Sequence, residues 1–214
     1  MPGNPTTRTA WRPASRRHIV RLLAALPATL LIPTTAFARR TPSATEGPYY
    51  PTPAMRFSDA DNDLVKIAGA VERAGGEIVR LKGRIMTRGG RPAAGARIEI
   101  WQCDVNGRYL HSRDRRRVQR DPAFQGFGHV VTGPDGAYAF RTIKPVPYTG
   151  RTPHIHVKVF HRGRSLTTQF YIAGHRQNDR DSLYRRLSKT DRQAVNMAFV
   201  DGQNGPEATL DIIL

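Results

Sequence analysis

The stretch from Tyr148 to Phe160 constrains this chain more than any other. It reads Tyr148-Thr149-Gly150-Arg151-Thr152-Pro153-His154-Ile155-His156 and runs on into Val157-Lys158-Val159-Phe160. From His154 onward the pattern is that of a β-strand, whose successive side chains face opposite sides. His154 and His156 therefore share one face, and Ile155 and Val157 take the other. Alone, a His-x-His pair fits exposed polar residues or core imidazoles bonded to backbone as well as it fits a metal site. A phenol, a guanidinium and a strand-opening proline within the same nine residues make metal ligation the stronger reading.

The rest of the chain suits a single β-rich domain with a tail. It has 214 residues, of which 39% are hydrophobic, with 19 glycines and 16 prolines, enough for a sizeable core. No stretch beyond the amino-terminal segment approaches the apolar length that spans a bilayer. The formal charge of +17 comes from arginines scattered through strands and turns. No zinc-finger, helix-turn-helix or aromatic RNA-binding signature accompanies them, so no nucleic-acid partner is expected. A solvated basic surface of this kind still attracts anionic substrates or polyanions. Cys103 is the only cysteine, which excludes an intrachain disulfide and a cysteine-rich metal site. It is expected to pack as a small buried hydrophobe.

Residues 1–38 read as an export signal. The first 21 residues carry five arginines and no acid, Leu22 to Phe37 is apolar, and Ala36-Phe37-Ala38 offers small residues to a signal peptidase. Arg16-Arg17 before a mildly hydrophobic run favours the twin-arginine type over an ordinary secretory signal, and with it a periplasmic or extracellular location. Residues 39–63 form a proline-rich arm expected to lie over a core, and 64–214 form the main domain.

Within that domain, alternating residues mark strands from Glu77 and over Ala96–Gln102, where Ile98, Ile100 and Gln102 oppose Arg97, Glu99 and Trp101. Asp104-Val105-Asn106-Gly107 turns the chain and delivers Tyr109, and a basic loop runs from His111 to Arg120. His129–Thr132 and Tyr138–Ile143, joined by Gly133-Pro134-Asp135-Gly136, read as a hairpin. Further strands are expected at His154–Phe160, Leu166–Ile172 and Thr209–Leu214, with a short helix between Ser182 and Leu187. The fold class is all-β: an antiparallel β-sandwich with long loops, an N-terminal arm and at most one or two short helices.

Two phenols, Tyr109 and Tyr148, join the two imidazoles. This hard, anionic set suits ferric iron, because tyrosinate stabilises the higher oxidation state, whereas zinc more commonly takes histidine, cysteine or carboxylate. At this point the chain resembles the intradiol ring-cleavage dioxygenases, in the style of the protocatechuate 3,4-dioxygenase branch. The resemblance covers nearly all of Thr45 to Leu214. It rests on Thr45-Glu46-Gly47-Pro48-Tyr49-Tyr50, on Ile100 to Tyr109, on Gly136 to Tyr148 with Arg151 to His156, and on Leu166-Thr167-Thr168-Gln169-Phe170-Tyr171.

The resemblance implies one non-haem Fe(III) per chain, held by Tyr109, Tyr148, His154 and His156, with Tyr148 and His156 axial. It implies Arg151 as the active-site arginine, Tyr148 as the ligand that leaves the metal when substrate binds, and Gln169 as a supporting residue. Gly47 and Tyr49 would lie at the substrate mouth beside Arg151. The activity implied is cleavage of a catechol-type ring between its hydroxylated carbons with O2, giving a cis,cis-muconate-type diacid, and it is compatible with a homo-oligomer. The chain departs from the family at Val146, at Thr149 and in the short link from Tyr148 to Arg151, all of which bear on pocket shape. Two competing readings are a transthyretin-like, non-catalytic β-sandwich binding module and a different mononuclear metalloenzyme. The first has no use for two tyrosines converging on two histidines, and the second normally wants a carboxylate ligand.

Overall fold

Among the described residues the chain forms ten strands, most of them from the alternating segments, and two short α-helices. In chain order the strands are β1 (Ile78–Met86), β2 (Arg97–Trp101), β3 (Phe127–Val131), β4 (Ala137–Ile143), β5 (His154–His161), β6 (Arg164–Ile172), β7 (Asn196–Met197), β8 (Val200–Gly202), β9 (Gly205–Thr209) and β10 (Ile212–Ile213). The helices α1 (Ser182–Arg185) and α2 (Lys189–Val195) lie between β6 and β7. The structure, a computed structural model, describes residues 38–53, 61–70 and 72–214. The proposed export segment up to residue 37 and part of the arm, 54–60, lie outside the described residues. No described helix is long and apolar enough to cross a membrane.

The strands form two sheets. One has the order β10-β1-β9-β8, with β4 on the other edge of β1, and the second runs β3-β2-β5-β6-β7. Leu81, Ile85, Phe140 and Ile143 of the first sheet and Ile98, Ile100, Ile155, Val157 and Val159 of the second belong to one buried apolar cluster. The sandwich expected from the sequence is present, with two differences in connectivity.

First, the sheets are mixed rather than antiparallel: β1 pairs in parallel with β9 and β10, and β6 with β7. The chain leaves β6, passes through the two helices and returns, and a crossover of that length permits parallel pairing. Second, the expected hairpin is a crossover between sheets. β3 pairs with β2, whereas β4 pairs with β1. Thr132 completes the β2–β3 ladder through Ala96 (2.9 Å), and four residues on, the Gly136 carbonyl accepts from Ile85 of β1 (2.8 Å). Turn residues specify a change of direction and leave the partner strand open.

The expected Thr209–Leu214 strand is also broken, at Leu210-Asp211, between β9 and β10. The Leu210 carbonyl crosses directly over Gly83 and accepts from the Tyr138 hydroxyl (2.6 Å), while Asp211 takes the Arg84 amide (2.8 Å). The approach requires glycine, because a Cβ at position 83 would lie 1.7 Å from the Leu210 oxygen. The expected short helix forms as α1, capped by Asp181, and α2 follows with Ser188 as its cap.

Gly83→Ala should therefore destabilise the protein by about 3 kcal/mol or more, since the clash is with backbone rather than a movable side chain. Gly89→Ala, where the nearest atom to a new Cβ is 3.9 Å away, should stay within about 0.5 kcal/mol. Urea midpoints of the two variants check this; equal midpoints would contradict the packing described.

Candidate metal centre

The histidines face away from the core. Ile155, Val157 and Val159 fill the space between the sheets, so His154, His156 and Lys158 are placed on the outer face of the second sheet. Register lines this face up: Trp101 stands opposite His156 on one side, and Gln169 stands opposite it on the other, with Tyr171 opposite His154. An outer sheet face is ordinarily wet, yet His154, His156, Glu99 and Gln169 are all buried.

The arm provides the cover. Ala44 donates to the Thr167 carbonyl (2.8 Å), and Gln169 Nε2 donates to the Thr45 carbonyl (2.9 Å). Glu46 pairs with Lys158, and the Tyr50 hydroxyl donates to Glu99. Between these anchors Gly47, at φ 74°, passes the edge of His156, where a Cβ would sit 3.3 Å from Cε1. Trp101 stacks on the same imidazole, with centroids 4.8 Å apart and planes 11° apart.

Two loops bring in the phenols. Asp104 closes the turn before Tyr109 by accepting the amides of Asn106 and Arg108 (both 2.9 Å), and Asp114 accepts the Tyr109 amide (2.7 Å). Tyr148 begins a tight turn in which Arg151 donates back to its carbonyl (2.9 Å). The rings then converge: Tyr109 and Tyr148 lie 5.5 Å apart by centroid, Tyr148 and His154 5.5 Å, His154 and His156 4.7 Å, and Tyr109 and His156 6.0 Å.

The polar atoms at this convergence fit a cation. His154 Nδ1 lies 2.7 Å from the Thr152 carbonyl, which can only accept, so Nδ1 carries the proton and Nε2 presents a lone pair. That Nε2 faces His156 Nε2 at 3.1 Å. The Tyr109 hydroxyl is buried without a hydrogen-bond partner. Burial, with the nearby Arg151 charge, lowers the pKa of His154 to about 3, and burial and the neighbouring imidazole hold His156 well below the usual histidine range. Both imidazoles are thus neutral, as ligation needs. Burial raises Tyr109 well above the ordinary phenol range, and the adjacent Tyr148 adds to the shift. Tyr148 is raised less, because Arg151 opposes the effect of burial. Both phenols are held neutral here, so a cation bound through them would have to displace their protons.

Arg151 is fixed on three sides. Its Nε donates to Asp181 (2.8 Å), one terminal nitrogen donates to Gln169 Oε1 (2.7 Å), and the other reaches the Tyr148 hydroxyl at 3.5 Å. Asp181, the cap of α1, also accepts the amides of Thr152, Leu183 and Tyr184. Burial alone would raise its pKa, but Arg151 and these amides outweigh that and lower it. The contribution is full above the ordinary carboxylate range and is lost only as pH falls through the depressed value.

All the residues singled out in the sequence gather here: Tyr109, Tyr148, His154 and His156 at the convergence, Arg151 and Gln169 beside it, and Tyr49 stacked on Tyr109 at 4.7 Å. Three were missed. Asp181 lies thirty residues from Arg151. Asp114 and Arg116 sit within what reads as a basic run, yet Arg116 pairs with buried Asp114 (Nε 2.8 Å) and covers the Tyr148 ring at 4.9 Å. An acid inside an arginine run was the available signal. Cys103 is buried nearby and its thiol is pushed up to about 12, chiefly by burial, consistent with an inert packing role.

Known proteins similar to this chain are dioxygenases. The family model described as Dioxygenase matches residues 45–214. The chain is 37% identical over 123 residues to the protocatechuate 3,4-dioxygenase beta chain of Burkholderia cepacia, covering 53% of this chain and 52% of that one. It is 32% identical over 158 residues to hydroxyquinol 1,2-dioxygenase of Nocardioides simplex, covering 64% and 49%. The chain thus spans about half the length of these curated relatives. Among solved structures, it is similar to the dioxygenase domain of a dioxygenase and carbohydrate-binding protein fusion from Streptomyces sp. SirexAA-E, with 33% identity, a TM-score of 0.64, and coverage of 82% of this chain and 98% of that one. With a match that runs from the arm through both tyrosine-bearing loops to the last strand, the chain belongs to the intradiol ring-cleavage dioxygenase family.

Proposed function

We propose that this protein is a non-haem Fe(III) dioxygenase that opens a catechol-type ring between its two hydroxylated carbons, adding both atoms of O2 to give a cis,cis-muconate-type diacid. Tyr109, Tyr148, His154 and His156 would hold one iron per chain. The observation that carries the reading is the buried convergence of two neutral imidazoles and two phenols, one of them with an unpartnered hydroxyl. The competing readings lack such support. A non-catalytic module does not account for the convergence, and among the described residues no group of three or more His, Cys, Asp or Glu could hold a metal.

When bound, ferric iron supplies Lewis acidity that polarises the two catechol oxygens. The protein's own groups do the rest. Tyr148 is the less buried phenol and lies beside Arg151, so it is the one placed to move aside and take a proton from an incoming catechol hydroxyl. Arg151 stays charged, and Asp181 and Gln169 hold it where negative charge grows on the substrate. Gly47 and Trp101 close off His156 and keep water from that side, and Tyr49 forms a wall of the mouth. The names of the relatives support an ortho-dihydroxylated aromatic as substrate.

The iron-loaded protein, given catechols under 18O2, should yield a ring-opened diacid carrying both labelled atoms. A semialdehyde from cleavage outside the diol, or label in only one position from solvent exchange controls, would contradict the proposal.

Arg151→Ala should keep its iron but lose on the order of 10²-fold in kcat, as expected for one donor acting mainly in the transition state. Loss of iron in the same variant would instead make Arg151 a support for the Tyr148–His154 turn, and unchanged kcat would remove it from the mechanism. Iron stoichiometry and single-turnover rates, measured together, decide.

A further inference from the structure

At the opposite end of β5 from the histidines lies a cleft of about 580 Å3. Arg40 of the arm, Arg88 and Arg91 of the turn after β1, and His161, Arg162 and Arg164 around the β5–β6 turn surround it. Among the described residues, no aspartate or glutamate lines it. Some cations elsewhere are neutralised, as Lys82 is by Glu207, Arg141 by Asp63 and Lys144 by Glu77. Among the described residues no carboxylate pairs with Arg40, Arg91, Arg162 or Arg164. Cations drawn together in a concave site create a positive local potential for anions, and guanidinium forks match planar oxyanions.

The backbone adds an independent observation. Arg162 is the one non-glycine at positive φ among the described residues, at 48°, followed by Gly163 at 71°. A two-residue hairpin of this shape normally takes Asn-Gly, and a branched-off Cβ in the left-handed region is disfavoured. Strained positions concentrate where a side chain is used, and here the strained residue is an arginine on the cleft rim.

We infer that this cleft binds an acidic polysaccharide. The floor contains Leu166 and Leu214, apolar surface that suits the C–H faces of sugar rings while the arginines take carboxylate or sulfate groups. A concave cleft does not lie flat on a bilayer. Among the described residues it offers no aromatic ring other than His161 for stacking bases. The site is remote from the chemistry: β5 has eight residues, so its two ends stand about 23 Å apart at roughly 3.3 Å per step. An anchored enzyme would keep its metal centre open to small aromatics.

The test is binding of the full iron-loaded chain, by calorimetry at about 0.15 M ionic strength, to polygalacturonate and heparin as carboxylate and sulfate probes. Polyphosphate, duplex DNA and anionic phospholipid vesicles are the contrasts. The variant Arg40→Gln/Arg91→Gln/Arg162→Asn/Arg164→Gln keeps a residue that tolerates positive φ at 162. It should bind the polysaccharides at least about 10-fold more weakly, with a salt slope smaller by about three, and turn over free catechol at the unaltered rate. A control, Arg73→Gln/Arg176→Gln/Arg185→Gln/Arg186→Gln, removes the same charge elsewhere and should change affinity by less than about 2-fold. If the quadruple variant fails to fold, Arg91→Gln/Arg164→Gln should still weaken binding about 3-fold. Equal losses in cleft and control variants, no binding to either polysaccharide, or tighter binding to any of the contrasts would overturn the inference. The binding measurements do not depend on catalysis, so their failure is distinct from failure of the proposed activity.

Discussion

The two-residue period of β5 is the constraint on which the molecule depends. One set of its side chains, Ile155, Val157 and Val159, is core; the other, His154, His156 and Lys158, is the centre and its border. A shift of one residue in register would exchange the two sets, placing imidazoles between the sheets and valines under the arm. The pairing of β5 with β2 and β6 on both sides fixes that register, and the same pairing brings Trp101 and Gln169 to either side of His156. Core packing and site geometry are therefore one problem with one solution.

Placing the site on an outer sheet face creates a need for cover, and the arm meets it through polar anchors together with Tyr49 and Tyr50, which pack on Tyr109 and Trp101. Gln169 links the parts: its amide nitrogen holds the arm at Thr45, and its oxygen accepts from Arg151 and from the Tyr171 hydroxyl. Removing that side chain would loosen the roof and the arginine together. Behind the phenols, Asp114 plays a comparable part, taking the Tyr109 amide while pairing with the arginine that covers Tyr148. Burial then favours the neutral form of all four converging donors, so occupation by a trivalent cation must expel phenolic protons and becomes easier as pH rises.

Much of this was legible in the sequence because it rests on local pattern. The strands from Ile78 and His154 alternate cleanly, and the loops that carry Tyr109 and Tyr148 have recognisable turn residues. What was not legible depends on distant partners. The turn Gly133–Gly136 changes direction whether its flanking strands pair with each other or with different sheets, and only the ladders to β1 and β2 settle which. The break at Leu210 exists because Gly83 lacks a side chain, two segments over a hundred residues apart. The pairing of Asp181 with Arg151 spans thirty residues, and Trp101, on the same face of β2 as Arg97 and Glu99, is buried because the arm and His156 cover it.

The visible spectrum of the iron-loaded protein tests the centre most directly. Tyrosinate bound to ferric iron gives a wine-red to brown charge-transfer band, which should shift or weaken in Tyr109→Phe and in Tyr148→Phe. A colourless wild-type protein holding stoichiometric zinc, or a band unaltered in both variants, would contradict the assignment of two phenolates and two imidazoles to one ferric ion.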